Sequence, residues 1–270
     1  MADSSKRGFL QTSALMATGA VVGCATPGTA AVAPATPFAV PATYIPIAGS
    51  TEQFPVRRIY CIGRNYAAHA IEMGSDPSRE PPFFFQKPTD AIQFVRPGTV
   101  ADHPYPSLTK NYHYEVELVA ALSGGGRNIP MDKALGLVYG YALGLDMTRR
   151  DLQRGMGDQK KPWEIGKSFD HSAPIGPIHT VAQVGHYTKG AIWLKVNGQT
   201  KQSATLNHMI WSVAEIIARL SAYFRLEPGD LIFTGTPEGV GPVKPGEVIE
   251  AAVDGLASLE LRVVQAVQKA

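Results

Sequence analysis

The stretch Tyr112-His113-Tyr114-Glu115-Val116-Glu117-Leu118-Val119-Ala120-Ala121-Leu122 sets two acids inside a run of β-forming and apolar residues. It reads as a strand. Side chains on a strand alternate faces and each residue rises roughly 3.3 Å, so Glu115 and Glu117 share a face with their backbones roughly 6.6 Å apart. The next residues on that face, Val119 and Ala121, are apolar, which places the acids where water is scarce. A buried pair of like charges is costly unless a cation holds it. An arbitrary Glu-x-Glu is more often the polar face of a solvated edge strand, and the apolar neighbours argue against that here.

A third acid follows. The run from Leu137 to Leu145 reads as a buried strand ending at Asp146, and Thr148-Arg149-Arg150-Asp151 then reads as a helix start with a capping box. Two Glu and one Asp, without Cys and with no His at ligand spacing, suit a hard ion such as Mg²⁺, Mn²⁺ or Ca²⁺ rather than zinc.

At 270 residues and 44 % hydrophobic content the chain can bury a full core. The expected organisation is a leader and linker over residues 1–40, then a single catalytic domain over 41–270 with a short lead-in segment at 41–56. A net charge of +2, with no basic stripe interleaved with aromatics, gives no footprint for nucleic acid. The leader opens on Ser5-Lys6-Arg7-Gly8-Phe9-Leu10, continues through an uncharged run, and ends rich in Ala and Pro. This order resembles an export signal of twin-arginine type, with delivery to the periplasm. Val21-Val22-Gly23-Cys24 resembles a lipobox whose Cys24 would carry a lipid anchor, and Ala31-Val32-Ala33 an ordinary cleavage site. The other reading is an N-terminal extension on a cytoplasmic enzyme. The apolar run is too short for a transmembrane helix. Of the two cysteines, Cys61 reads as a core residue.

Further along, Arg57 to Ile62 reads as a strand leading into Gly63-Arg64-Asn65-Tyr66 and a short helix from Ala67 to Met73. His69 and Glu72 are three apart on that helix and can hydrogen-bond, although a bland surface pair is the usual meaning of such spacing. In Phe83-Phe84-Phe85-Gln86-Lys87 the phenylalanines read as core and Lys87 as facing a pocket. Lys167 stands in an otherwise apolar and aromatic stretch, so it is either paired or functional. Gly190 to Val196 reads as a strand, Asn197-Gly198 as a hairpin turn and Ser212 to Tyr223 as an amphipathic helix. Thr234-Gly235-Thr236-Pro237 ends a strand in a turn able to present N–H groups and hydroxyls to an anion.

Taken together, Gly63-Arg64-Asn65-Tyr66-Ala67-Ala68-His69, Tyr114-Glu115-Val116-Glu117-Leu118, Leu145 to Gln153, Gly166-Lys167-Ser168-Phe169, Ala173 to Pro177 and Thr234-Gly235-Thr236-Pro237 resemble the fumarylacetoacetate hydrolase family. The resemblance runs from about Arg57 to Val264. Within the family, Arg79 to Lys87 and Pro162 to Lys167 most resemble fumarylpyruvate hydrolases and acylpyruvases. It implies a mixed α+β, mainly β fold, a rolled β-sandwich with short helices, and a homodimer. It implies Glu115, Glu117 and Asp146 as ligands of one divalent cation, and His69 with Glu72 as a catalytic dyad supported by Lys167. Arg64, Arg150, Gln153 and Thr236 become the substrate contacts. The activity implied is hydrolysis of a carbon–carbon bond in a small acidic keto acid, with oxaloacetate decarboxylation or keto-acid isomerisation as rivals on the same platform. A rival of another class is an exported lipoprotein that binds metal or dicarboxylate, against which the intact dyad argues.

Overall fold

Seven residues with no exposed side chain make Val116–Leu122 the centre of the molecule. Val116, Leu118, Ala120 and Leu122 enter the larger apolar core, while Val119 and Ala121 enter a smaller one on the other face. A strand covered on both faces must read as nearly continuous apolar sequence, which is why Glu117 is conspicuous in it. The computed structural model describes residues 36–74 and 80–266.

Val116–Leu122 pairs antiparallel with Val138–Leu145 on one side and Asp230–Phe233 on the other. Beyond Asp230–Phe233 lie Arg58–Gly63, parallel to it, and then Phe83–Lys87. These strands belong to an eight-stranded sheet. A five-stranded sheet runs from Gln199–Thr205 through Ala191–Val196, Val248–Val253 and Leu259–Val264 to Val100–Pro104. Alternate residues of this second sheet, among them Ile192, Leu194, Ile249 and Leu261, fill the larger core. The helix Val213–Tyr223 adds Val213, Ile216, Ile217 and Leu220 to it, and begins with a capping box between Ser212 and Glu215. The result is mixed α+β and mainly β, with curled sheets.

Two local expectations change. The run Tyr112 to Leu122 is two strands in two sheets, because Tyr112–Tyr114 pairs with Thr148–Arg149 and Gly241–Pro242 and leaves Glu115 at the joint. Backbone pairing survives the joint, since Asp146 N donates to Glu115 O at 2.9 Å. The expected capping box at Thr148 is absent. The helix is Arg150–Asp158 with Arg149 as its N-cap and no side-chain cap. Thr148 Oγ1 instead donates to Asp146 O at 3.0 Å, and the Asp151 carboxylate accepts from Lys110 N and Leu152 N at 2.9 and 3.0 Å.

Residues from Pro41 onward group as one compact unit. Its lead-in pairs Tyr44–Pro46 with Gln53–Pro55 and places Ile45 and Phe54 in the smaller core. Cys61 is buried and free. Residues 1–35 of the leader, with Cys24 and the Ala31-Val32-Ala33 pattern, lie outside the described residues. Among the described residues no helix is long and apolar enough to cross a membrane.

Candidate active site

The ten residues given metal, catalytic or substrate roles from the sequence line one cavity of about 620 Å³: Arg64, His69, Glu72, Glu115, Glu117, Asp146, Arg150, Gln153, Lys167 and Thr236. At its base Glu115, Glu117 and Asp146 are buried and each offers a carboxylate oxygen within 4.8 Å of the others. Glu115 stands at the joint between strands, Glu117 within Val116–Leu122 opposite Gly144, and Asp146 one residue past Val138–Leu145.

The three acids are not equally paired. Lys167 Nζ lies 2.7 Å from both Glu115 Oε2 and Asp146 Oδ2. Asp146 Oδ1 has Lys87 Nζ at 2.8 Å, and Glu115 Oε1 accepts from Arg150 Nη2. Burial works to raise the Glu115 carboxyl, but Lys167 and Arg150 outweigh it and hold it well below the usual carboxylate range. Burial works to depress the Lys167 ammonium, yet Asp146 and Glu115 outweigh it and push it up, so it remains a cation. Glu117 has no cationic side chain among the described residues. Among the described residues its one hydrogen bond comes from Gly235 N, at 2.7 Å, and burial together with Asp146 and Glu115 pushes it well above the carboxylate range. A buried carboxylate without a cation, in an all-oxygen set of three, fits a hard divalent ion. The triad can therefore hold Mg²⁺ or Mn²⁺.

The helix Ala67–Glu72 carries the other pair that lines the cavity. His69 Nδ1 lies 3.0 Å from Glu72 Oε2, and His69 is only 6 % exposed, so a bland surface pair does not describe it. A carboxylate only accepts, hence Nδ1 carries the proton and Nε2 is the basic nitrogen. Glu72 Oε1 accepts Gly239 N at 3.0 Å. The turn expected to bind an anion through its backbone thus spends Gly235 N and Gly239 N on the protein's own carboxylates. Of the turn's residues Thr236 lines the cavity.

Arg150 is one of the largest fully buried side chains. Its Nη1 donates to Gln153 Oε1 at 2.5 Å and its Nε to His113 Nδ1 at 3.4 Å. Burial and then the Arg150 charge depress His113 to about 4, so its ring is neutral and can accept from Arg150. Arg64 has a left-handed backbone (φ 58) and sets its guanidinium over the Phe83 ring at 5.6 Å from the centroid.

Phe84 packs against the larger core and Phe85 partly against the smaller one, but a plain core role does not describe Phe83 and Phe85. They line the cavity and pack edge-on against Trp163 at 5.3 and 5.9 Å, forming an apolar wall. Lys87, expected to face the pocket, lies beneath it instead, where it pairs with Asp146 and donates to Met147 O at 3.3 Å. Sequence reasoning missed Arg154 and Lys161, which also line the cavity. Their signal was faint: they stand in a Gly- and Lys-rich stretch that reads as loop.

Residues 58–264 match the family described as fumarylacetoacetate (FAA) hydrolase, C-terminal. A fumarylpyruvate hydrolase of a Ralstonia species is 49 % identical over 189 residues, 70 % of this chain and 95 % of that protein. A mitochondrial oxaloacetate tautomerase of Mus musculus is 40 % identical over 207 residues, 77 % of this chain and 91 % of that protein. Among solved structures, the fumarylpyruvate hydrolase of Pseudomonas aeruginosa, in complex with Mn²⁺ and pyruvate, is 56 % identical. It superposes with a TM-score of 0.85 over 86 % of this chain and all of that one.

Proposed function

Because the chain belongs to the fumarylacetoacetate hydrolase family, we propose that it is a carbon–carbon hydrolase that cleaves an acylpyruvate, with fumarylpyruvate giving fumarate and pyruvate. The observation that carries this is the meeting in one cavity of a carboxylate triad fit for a hard cation and a buried His69 hydrogen-bonded to Glu72. The fumarylpyruvate hydrolase relatives support the same substrate.

A divalent ion held by Glu115, Glu117 and Asp146 would supply Lewis-acid polarisation of the substrate's keto-acid oxygens. His69 Nε2 takes a proton from water as the water oxygen adds to the acyl carbonyl. Glu72 holds Nδ1–H and stabilises the imidazolium that results, and a base so placed contributes typically ~10²–10⁴-fold. The bond between the acyl carbon and the methylene then breaks, its electron pair passing to the pyruvate fragment as an enolate. Imidazolium returns the proton to the methylene carbon. One water is consumed, and one carboxylic acid and one pyruvate are formed. Lys167, held cationic by its carboxylates, serves the enolate as an electrostatic partner rather than as a base. Arg64, Arg150, Gln153 and Thr236 hold the substrate's oxygens.

The tautomerase relative favours a second reading, conversion of oxaloacetate on the same platform. Incubation with Mn²⁺ or Mg²⁺ and acetylpyruvate, fumarylpyruvate or oxaloacetate separates the two. Pyruvate released from the acylpyruvates supports hydrolysis, whereas turnover of oxaloacetate alone would replace it. The family resemblance also supports a homodimer, which light scattering tests. The leader supports export to the periplasm, with removal between Cys24 and Ala33 and a lipid on Cys24 if the lipobox is used. Intact mass from the native host tests this, and full-length protein confined to the cytosol would overturn it.

A further inference from the structure

Of the seven residues in Gln199–Thr205 only Gln202 is buried, 1 % exposed. Its amide reaches from the five-stranded sheet to two segments of the cavity. Oε1 accepts from Val116 N at 3.0 Å, at the residue between Glu115 and Glu117. Nε2 donates to Thr236 Oγ1 and to Pro237 O, each at 2.8 Å. Chemistry forces this orientation of the amide: the Val116 N–H can only donate and the Pro237 carbonyl can only accept. Thr236 Oγ1 must then be the acceptor in its bond with Gln202. The threonine's own O–H is left over, no acceptor takes it among the described residues, and Thr236 lines the cavity. Gly239 keeps the turn against the strand, since a Cβ there would stand 2.0 Å from Lys201 O.

We propose that Gln202 is a positioning residue that fixes the Thr236 hydroxyl as a donor into the cavity, so that the site prefers the carboxylate of a keto acid to its neutral amide. This rests on the proposed function for the class of ligand and deepens it. With Gln202 absent, the hydroxyl is free to rotate and to spend its proton on Pro237 O. With glutamate in its place, the new carboxylate captures that proton outright.

The test is calorimetric binding of pyruvate and of pyruvamide to the Mn²⁺-loaded full chain. Gln202→Met and Thr236→Val should each weaken pyruvate by about 10-fold or more, the worth of one hydrogen bond to a charged group, and leave pyruvamide nearly unchanged. Gln202→Glu should do the same, and Thr236→Ser should retain wild-type preference. The pair Gln202→Met with Thr236→Val should bind pyruvate no worse than the worse single variant, because both changes remove one interaction. Additive losses, equal loss of both ligands, or wild-type pyruvate affinity in Gln202→Met would overturn the proposal. Should the Gln202 variants fold poorly, wild type alone still decides against it if pyruvate and pyruvamide bind equally. Wild-type turnover of fumarylpyruvate is judged separately: a protein that selects pyruvate but cleaves no acylpyruvate fails only the hydrolase reading.

Discussion

Substituting Glu117 by Gln should uncouple metal affinity from stability, because Glu117 is the triad acid with no cationic partner among the described residues. The glutamine keeps an oxygen for Gly235 N and removes an acid whose ionisation burial, Asp146 and Glu115 oppose. In EDTA the variant should melt no lower than wild type. With Mn²⁺ at about 100 times the wild-type Kd, linkage stabilises wild type by about 2.7 kcal/mol. If loss of one ligand weakens binding about 100-fold, the same Mn²⁺ concentration yields only about 0.4 kcal/mol for the variant. At about 2–4 °C per kcal/mol for a domain of this size, the Mn²⁺-induced rise in Tm falls from roughly 5–10 °C to roughly 1 °C. Asp146→Asn is the counterpart. It strips a charge from between Lys87 and Lys167, and breaking a buried pair in this way costs about 3–5 kcal/mol even in EDTA. Thermal melts with and without Mn²⁺, alongside titration calorimetry, read both quantities. A Glu117→Gln protein that keeps the full Mn²⁺ shift, or that melts in EDTA as low as Asp146→Asn, would overturn this role for Glu117.

The dyad should behave as a unit: His69→Ala and Glu72→Gln each lower kcat by about 10²–10⁴-fold, and the double variant is barely worse than the worse single one, as single-turnover rates would report. Arg154, exposed at the mouth of the cavity, should contribute to the distal carboxylate of fumarylpyruvate only as a solvent-screened pair. Arg154→Ala then raises KM by at most about 5-fold and leaves acetylpyruvate unaffected, which steady-state kinetics on the two substrates checks. His103 sits far below its ordinary range, at about 3, because of burial and then His171, and its ring faces Gln93 and Tyr112 at 2.6 Å each. The unfolded chain takes up this proton near the usual pKa of ~6.5. Stability is therefore lost as pH falls below that value and down toward 3, by about 2 kcal/mol at pH 5. Urea denaturation at pH 5 and 7 should show this loss in wild type and its reduction in His103→Gln.

What could be read from the chain and what could not divides along physical lines. Glu115 and Glu117 were legible because charge inside an apolar β run is costly, and the cost points to a compensating group. The break at Glu115 was not legible, since every residue from Tyr112 to Tyr114 suits a strand whichever sheet it joins. Phe83 and Phe85 misled because apolar residues fill cores and line substrate cavities alike, and only the position of Trp163 decides between these. Asp151 imitated a cap because its true partners, Thr109 and Lys110, lie some forty residues back in sequence. Gln202 gave no signal: in Gln-Thr-Lys-Gln-Ser-Ala-Thr the buried amide has the same letter as the exposed Gln199.

The Thr234-to-Gly239 turn has a further consequence, for anyone wishing to change the acyl group this protein accepts. A side chain at Gly235 would collide with Asn65 Cβ at 2.6 Å, one at Gly239 would collide with Lys201 O, and Thr236 is tied from behind. That floor is closed to redesign. Phe83 packs edge-on against Trp163 and is 37 % exposed, whereas Phe85 carries Lys167 Nζ over its ring at 5.1 Å and belongs with the ionic cluster. A combinatorial library belongs on Phe83 and Trp163, where new shapes can be tried without disturbing the groups that bind the ion or move the proton.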